Sequence, residues 1–221
     1  MTTLRTNVLC LIFVAILIAV AAYLYPSLPD QIPTHWNIKG EVDDYTPKPW
    51  GVIVLPLASI LIFVIMKLIP IISPKGFRTD QFQDVINIFT VTLVGFMSGI
   101  GLLVLLAASG RNVQMNEMVF AAMGLLFIVL GNYMSKVRKN FFIGIRTPWT
   151  LASDEVWNRT HRLGGWIFVL IGFFMFLNAF IQFPVEWLIG AIVILALVPV
   201  VYSFVIYRNL EGFEEEPPET D

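Results

Sequence analysis

The two histidines, His35 and His161, are the side chains in this sequence most suited to metal or acid–base chemistry. His35 precedes two acids, Glu41 and Asp43, and an imidazole together with carboxylate oxygens can ligate Zn²⁺. One histidine without a second nitrogen or sulfur ligand is weak support for a metal, so hydrogen bonds that hold the loop are the favoured interpretation. His161 can titrate near neutral pH, although a hydrogen-bonded structural histidine is the commoner case.

The known catalytic motifs of metalloproteases and serine enzymes need more residues than these two histidines. A metalloprotease requires two histidines at helical spacing with a glutamate, and a serine enzyme requires a buried nucleophile beside a base. The sequence contains neither pattern, and its single cysteine, Cys10, excludes a disulfide or a multi-cysteine metal site within one chain. We therefore predict a protein that is not an enzyme and that has no cofactor, no metal and no direct contact with nucleic acid.

The segments that must position these histidines are strongly apolar. Hydrophobic residues make up 57% of the chain and charged residues 14%, and six runs contain no Asp, Glu, Lys, Arg or His. Each run approaches or exceeds the roughly 20 residues that cross a bilayer as a helix, and none has the polar face of a soluble helix. The prediction is an all-α polytopic membrane protein with six transmembrane helices, the first retained rather than cleaved as a signal peptide. The runs are residues 6–29, 49–66, 85–110, 118–135, 163–185 and 187–207.

The distribution of basic residues predicts the orientation. Short loops rich in Lys and Arg stay in the cytoplasm. With the N-terminus inside, eleven of the fourteen Lys and Arg residues fall on the cytoplasmic side and three fall outside. Both termini are therefore predicted to be cytoplasmic, and the acidic tail 208–221 does not disturb this because acids weigh little in the rule.

The loop 26–49 is the one sizeable segment predicted to be extracellular. Its prolines prevent a helix, while β-prone pieces at 34–37 and 42–45 predict a small hairpin. The loop is net acidic, which favours a cationic ligand arriving from outside.

The loop 134–162 is predicted to be cytoplasmic, and it holds six of the fourteen basic residues. Ser153 is a good N-cap for a helix that Gly164 and Gly165 can end, so we predict a short helix lying at the membrane interface with Trp157 as its anchor. Glu155 and Arg159 are spaced for an ion pair. The presence of any single one of these basic residues is explained sufficiently by its role in fixing the membrane topology and by contact with anionic lipid.

Together the two loops resemble a known family. Residues 28–43 are similar to the small DUF1648 membrane module, and residues 140–151 followed by 155–165 resemble the SdpI-like family of bacterial immunity proteins. The resemblance implies a DUF1648-like module over residues 1–72 and a four-helix SdpI-like membrane domain over 73–207.

The resemblance also implies a function. It implies a protein of the bacterial plasma membrane that protects the cell against a secreted peptide toxin. It also implies that this protein captures a cytoplasmic autorepressor of the ArsR type. By that analogy the outer loop senses toxin and the inner loop meets the repressor. The implied sensing residues are Asp30, His35, Trp36, Asn37, Glu41 and Asp43. The implied repressor or lipid surface consists of Phe142, Arg146, Trp149, Trp157, Arg159, His161 and Arg162.

A transporter or channel for small solutes or peptides is the alternative, since six helices suffice for one. Coupled transport usually leaves ionisable residues at the middle of the membrane, and the six runs have none. Thr92, Gly95 and Gly99 form a stripe of small residues, which is more often a helix-packing seam than a pore lining.

Overall fold

The computed structural model describes residues 1–37, 39–74, 77 and 79–210, with the side chains of Val185, Trp187 and Leu188 left out. The predicted acidic tail beyond residue 210, and two of the basic residues counted for orientation, Lys75 and Arg78, lie outside this description. The elements are α1 (Thr3–Leu24), β1 (Gln31–Trp36), β2 (Val42–Pro47), α2 (Lys48–Ile72), α3 (Gln83–Ala108), α4 (Met115–Met134), α5 (Pro148–Ala152), α6 (Asp154–Ile181) and α7 (Val185–Leu210).

Six of these helices, α1 to α4 with α6 and α7, are long and apolar enough to cross a membrane. Within the described residues this confirms the prediction of six helices able to span a membrane, and the chain is a multi-pass membrane protein. The hairpin and the α3–α4 and α6–α7 connections lie at one end of the bundle, called here the hairpin side. The N-terminus and the α2–α3 and α4–α6 connections lie at the other end, called the loop side.

The predicted hairpin is confirmed. Strands β1 and β2 pair antiparallel, with irregular register between Pro33 and Trp36. Ile32 of β1 is fully buried, and it packs so closely on α2 that a Cβ added to Gly51 would lie 2.7 Å from the Ile32 Cβ. Leu28 and Ile32 share a hydrophobic cluster with residues of α1, α2 and α3. The hairpin is therefore seated on the helices rather than free above them.

The helices pack as two groups. Helix α3 packs on α1 and α2, while α4 packs along α6, and α7 packs on α6. Two glycine pairs set the α4–α6 distance, because a Cβ on Gly124 would lie 2.6 Å from the Gly172 carbonyl oxygen and one on Gly131 would lie 2.6 Å from the Gly165 carbonyl oxygen. Small residues let membrane helices approach this closely. The predicted division of the chain at residue 72 stays a prediction.

The predicted short interfacial helix is wrong. Ser153 is the N-cap, as predicted, with its side chain accepting from the Val156 N–H, but α6 continues without a break to Ile181. Gly164 and Gly165 do not end it because they form the face that touches its neighbours: an added Cβ on Gly164 would lie 2.4 Å from Ile145 Cδ1. The close packing that these two glycines allow outweighs the usual helix-breaking effect of glycine, so the helix continues.

Candidate functional site

The hairpin places an acid–base pair on its surface. His35 Nδ1 lies 2.5 Å from Asp43 Oδ1, and the side chains are 66% and 44% exposed. Asn37 holds the turn, since its Oδ1 accepts from the Lys39 and Glu41 N–H groups and its Nδ2 donates to Glu41 Oε2 at 2.9 Å. Hydrogen bonding that shapes the loop, the favoured interpretation of His35, is what the geometry shows.

The six hairpin residues proposed for sensing differ in exposure. Asp30, His35, Glu41 and Asp43 are exposed, whereas Trp36 and Asn37 are half-buried, with Trp36 packed against the core. Across the described ranges, no group of three or more His, Cys, Asp or Glu side chains is placed to hold a metal ion. The exposed surface is therefore polar and acidic around a single imidazole.

At the loop side, Asn140 organises the turn that joins α4 to α5, residues 140–148, called here the Asn140 turn. Its side chain is fully buried. Its Nδ2 donates to the carbonyls of Arg138 and Ile143 at 2.8 and 3.0 Å, and its Oδ1 accepts from the N–H groups of Phe142 and Ile143 at 2.8 and 2.7 Å. One asparagine thus satisfies four backbone groups of an irregular segment.

His161 joins the Asn140 turn to α6. Its ring is fully buried, its Nδ1 lies 2.9 Å from the Trp157 carbonyl oxygen, and its Nε2 accepts from the Ile145 N–H at 3.0 Å. A carbonyl can only accept, so Nδ1 carries the hydrogen and the ring is neutral. Gly144, at φ +119°, passes so close that a Cβ there would lie 2.3 Å from His161 Nε2. Both histidines are therefore hydrogen-bonded, but only His161 is enclosed.

Trp157 stacks on His161, with ring centroids 4.0 Å apart, and its Nε1 donates to the Val137 carbonyl at 2.8 Å. The side chain is 1% exposed. The prediction that Trp157 anchors a helix at the membrane interface is wrong, because its indole N–H is satisfied inside the protein rather than at the bilayer surface. Trp157 and His161 are thus internal supports and present no surface to a partner.

A second set of hydrogen bonds ties the turn to α7. Thr147 is extended, as the following Pro148 predicts, and it forms a capping box with Thr150 at the start of α5. Thr147 Oγ1 also lies 3.0 Å from Ser203 Oγ, which is fully buried on α7. We call the Asn140 turn, together with Val137, Thr150, Trp157, His161 and Ser203, the loop-side motif. Its hydrogen bonds connect α4, α6 and α7.

The remaining residues of the proposed inner surface lie around this core. Arg146 and Arg162 are exposed, and Phe142, Trp149 and Arg159 are half-buried. The Arg146 guanidinium donates to the Phe141 carbonyl, and Trp149 packs edge-on against Phe204 at 5.1 Å. Arg159 Nε lies 2.5 Å from Glu155 Oε1, which confirms the predicted ion pair. The structure thus leaves five of the seven proposed residues on or near the surface.

Comparisons with known proteins match these same two regions. A profile of the SdpI/YfhL protein family matches residues 136–206, and a profile of DUF1648, a domain of unknown function, matches residues 11–60. The Immunity protein SdpI of Bacillus subtilis (strain 168) is 25% identical to this chain over 212 residues, which are 94% of the chain and 99% of that protein. Residues 136–206 are thus similar to the SdpI/YfhL family, and residues 11–60 are similar to DUF1648. No solved structure matches this chain.

The SdpI match contains the whole Asn140 turn, α5, α6 and most of α7, and the DUF1648 match contains the hairpin with most of α1 and half of α2. Three members of the loop-side motif were not predicted from the sequence: Asn140, the Val137 carbonyl and Ser203. Asparagine followed at short range by a glycine that can take positive φ is a turn signal and points to Asn140. The other two are contacts between distant positions that spacing does not reveal.

The role of Trp157 can be tested with a tryptophan on the same helix. Trp157→Phe keeps the ring and removes the N–H, leaving the buried Val137 carbonyl without its donor, so we expect the free energy of unfolding to fall by about 1–3 kcal/mol. Trp166→Phe is the control, because Trp166 is 68% exposed and should change stability little. Thermal unfolding of both purified variants in detergent makes the comparison, and equal midpoints would contradict the assigned role.

Proposed function

We propose that this protein protects the bacterium that makes it against a secreted peptide toxin. The observation that carries the proposal is the similarity along almost the full length of both chains to a protein named for immunity. The same alignment includes the two structured regions described above, the docked hairpin and the loop-side motif.

The proposal places the protein in the plasma membrane with the hairpin outside and both termini inside. The basic side chains of the loop side support this orientation, since Lys136, Arg138, Lys139, Arg146 and Arg162 all lie there. A cysteine introduced at Arg138, reacted with a membrane-impermeant label on intact cells, should stay unlabelled, while one at Lys39 should be labelled. Labelling in the opposite pattern would reverse the orientation.

The hairpin is the proposed toxin-sensing surface. Its exposed acids include Asp30, Glu41 and Asp43, of which Asp43 pairs with His35. These acids would attract a cationic peptide over the roughly 8 Å that physiological salt allows. Because Ile32 seats the hairpin on α2, a peptide bound here would press on the helices directly. Trp36 and Asn37 would act indirectly, by holding the strand and the turn in place.

Charge on the hairpin gives a testable expectation. Glu41→Gln combined with Asp43→Asn removes two negative charges, and protection against a cationic toxin should fall by about ten-fold or more in the toxin concentration tolerated, at roughly 1 kcal/mol per lost contact. The control is Glu186→Gln, an exposed acid at the hairpin side but outside the hairpin. Equal protection by the double variant and the control would remove the hairpin acids from the sensing role.

The loop side is the proposed output surface for a cytoplasmic ArsR-type repressor. Phe142, Arg146 and Trp149 form its protein-facing part, with Arg159 and Arg162 at its border with lipid. A fluorescent repressor should move from nucleoid to membrane on toxin exposure, and Arg146→Gln should reduce that movement while Arg138→Gln, an exposed arginine of the same loop, should not. Movement that both variants leave unchanged would exclude Arg146 from docking.

Survival tests the immunity proposal as a whole. The protein is expressed in a toxin-sensitive bacterium, which is then exposed to a panel of secreted peptides from neighbouring strains. Survival at concentrations that kill cells with an empty vector is the expected result. Protection against no peptide, together with solute flux in proteoliposomes, would favour the transporter instead.

A further inference from the structure

A cleft opens between α6 and α7 at the loop side. Its volume is about 520 Å³, and it is lined by Glu155, Arg159, Arg162, Leu163, Trp166 and Tyr202. Four of these, at positions 155, 159, 162 and 166, follow the three- and four-residue spacing of one helix face. The opposite face of the same helix carries the buried Trp157 and His161. Helix α6 is therefore amphipathic at this level, with its polar face turned to the cleft.

One cation in the cleft is available for a ligand. Arg159 is engaged by Glu155, but within the described part of the chain Arg162 has no ion pair or hydrogen bond to its guanidinium and is exposed. Arg162 and Trp166 also line an adjoining smaller groove against α4, of about 140 Å³. The guanidinium thus stands at the junction of two openings.

The position of the cleft relative to the bilayer identifies the kind of ligand. Residues 163–181 of α6 carry no charge, and 19 residues at about 1.5 Å each span nearly the roughly 30 Å of a hydrocarbon core. Arg162 therefore lies just outside the acyl region, at the level of the lipid phosphates. Trp166 lies one helical turn deeper and is 68% exposed. This is the membrane–water interface, where tryptophan side chains are enriched.

We propose that this cleft binds the phosphodiester headgroup of an anionic phospholipid. The Arg162 guanidinium would donate two parallel hydrogen bonds to the phosphate, and the half-buried Tyr202 would offer its hydroxyl. Trp166 would cover the glycerol and the first methylenes of an acyl chain. The inference rests on the placement of α6 in a bilayer and does not depend on immunity.

Native mass spectrometry of the full-length, delipidated protein tests the site. The protein is titrated separately with phosphatidylglycerol, phosphatidylcholine and inorganic phosphate. We expect one phosphatidylglycerol to bind with at least about five-fold higher affinity than phosphatidylcholine, the effect of one cation near an anionic headgroup. Arg162→Ala should abolish that preference, and Arg138→Ala, which removes the same charge from the same side outside the cleft, should leave it.

Three outcomes would overturn the proposal. They are equal affinity for both lipids, equal loss in Arg162→Ala and Arg138→Ala, and displacement of the lipid by inorganic phosphate at matching concentration, which would make the site a free-anion site.

A second measurement avoids dependence on the stability of Arg162→Ala. The fluorescence of Trp166, isolated as the difference between the wild-type protein and Trp166→Phe in bilayers, should be quenched more by brominated phosphatidylglycerol than by brominated phosphatidylcholine at equal mole fraction. Equal quenching would also overturn the proposal.

Discussion

Gly144→Ala is expected to lower the free energy of unfolding by about 3 kcal/mol and to abolish protection with it. At φ +119° an L-residue is strained, at a cost of about 1–2 kcal/mol. The new Cβ would lie 2.3 Å from His161 Nε2, the atom that accepts the Ile145 N–H, so the ring must move and that buried bond is lost at about 1–3 kcal/mol. Thermal unfolding in detergent and survival on toxin measure the two effects.

Gly110→Ala separates strain from contact. Gly110 also has positive φ, +83°, but an added Cβ there meets nothing within 4 Å. This variant should show only the smaller cost of backbone strain and should retain protection. If the two alanine variants unfold at the same midpoint, the contact between Gly144 and His161 does not stabilise the loop side.

Gly172→Ala is expected to destabilise the protein by about 1–3 kcal/mol, through the α4–α6 interface. Its Cβ would lie 2.6 Å from the Gly124 carbonyl oxygen and 2.8 Å from the Ile128 nitrogen. These are backbone atoms of a helix, which cannot rotate away as a side chain can, so the two helices must separate. The midpoint of thermal unfolding should fall, and the second glycine pair, Gly131 with Gly165, should lose its close contact.

Gly99→Ala is the matched control within another membrane helix. An added Cβ at Gly99 meets nothing within 4 Å, so alanine there should be neutral or should stabilise α3 by up to about 1 kcal/mol through helix propensity. Gly95, in the same predicted stripe, does pack, since its Cβ would lie 3.1 Å from Phe13. A loss in Gly99→Ala as large as that in Gly172→Ala would argue against close α4–α6 packing as the cause.

Features set by neighbouring residues were predictable. The six spans follow from apolar runs of bilayer length, and the hairpin follows from β-prone pieces beside a turn. The Ser153 cap and the Glu155–Arg159 pair depend on spacings of three and four residues, and the structure shows both. Each of these needs information from only one segment of the chain.

Features set by distant residues were not predictable. In the sequence, a Gly164–Gly165 pair that ends a helix looks the same as one that packs against a neighbour. Contacts with Ile145 and Gly131 make this pair a packing face within α6. Trp157 likewise suits either an interface or a core, and its acceptor, the Val137 carbonyl, lies 20 positions away. The structure shows the hydrogen-bonded histidine that was the commoner expectation for His161, but its partners, the Ile145 N–H and the Trp157 carbonyl, were not predictable because one of them lies in a separate segment.

Protection at the membrane is tested most directly by the membrane potential of challenged cells. Sensitive cells expressing the protein are mixed with cells that carry an empty vector, exposed to a toxin that the survival panel identifies, and followed one by one with a potential-sensitive dye. Expressing cells should keep their potential at toxin concentrations that depolarise the others, and Gly144→Ala cells should behave like the empty vector. Equal depolarisation of both populations, with the wild-type protein present in the membrane, would contradict the account.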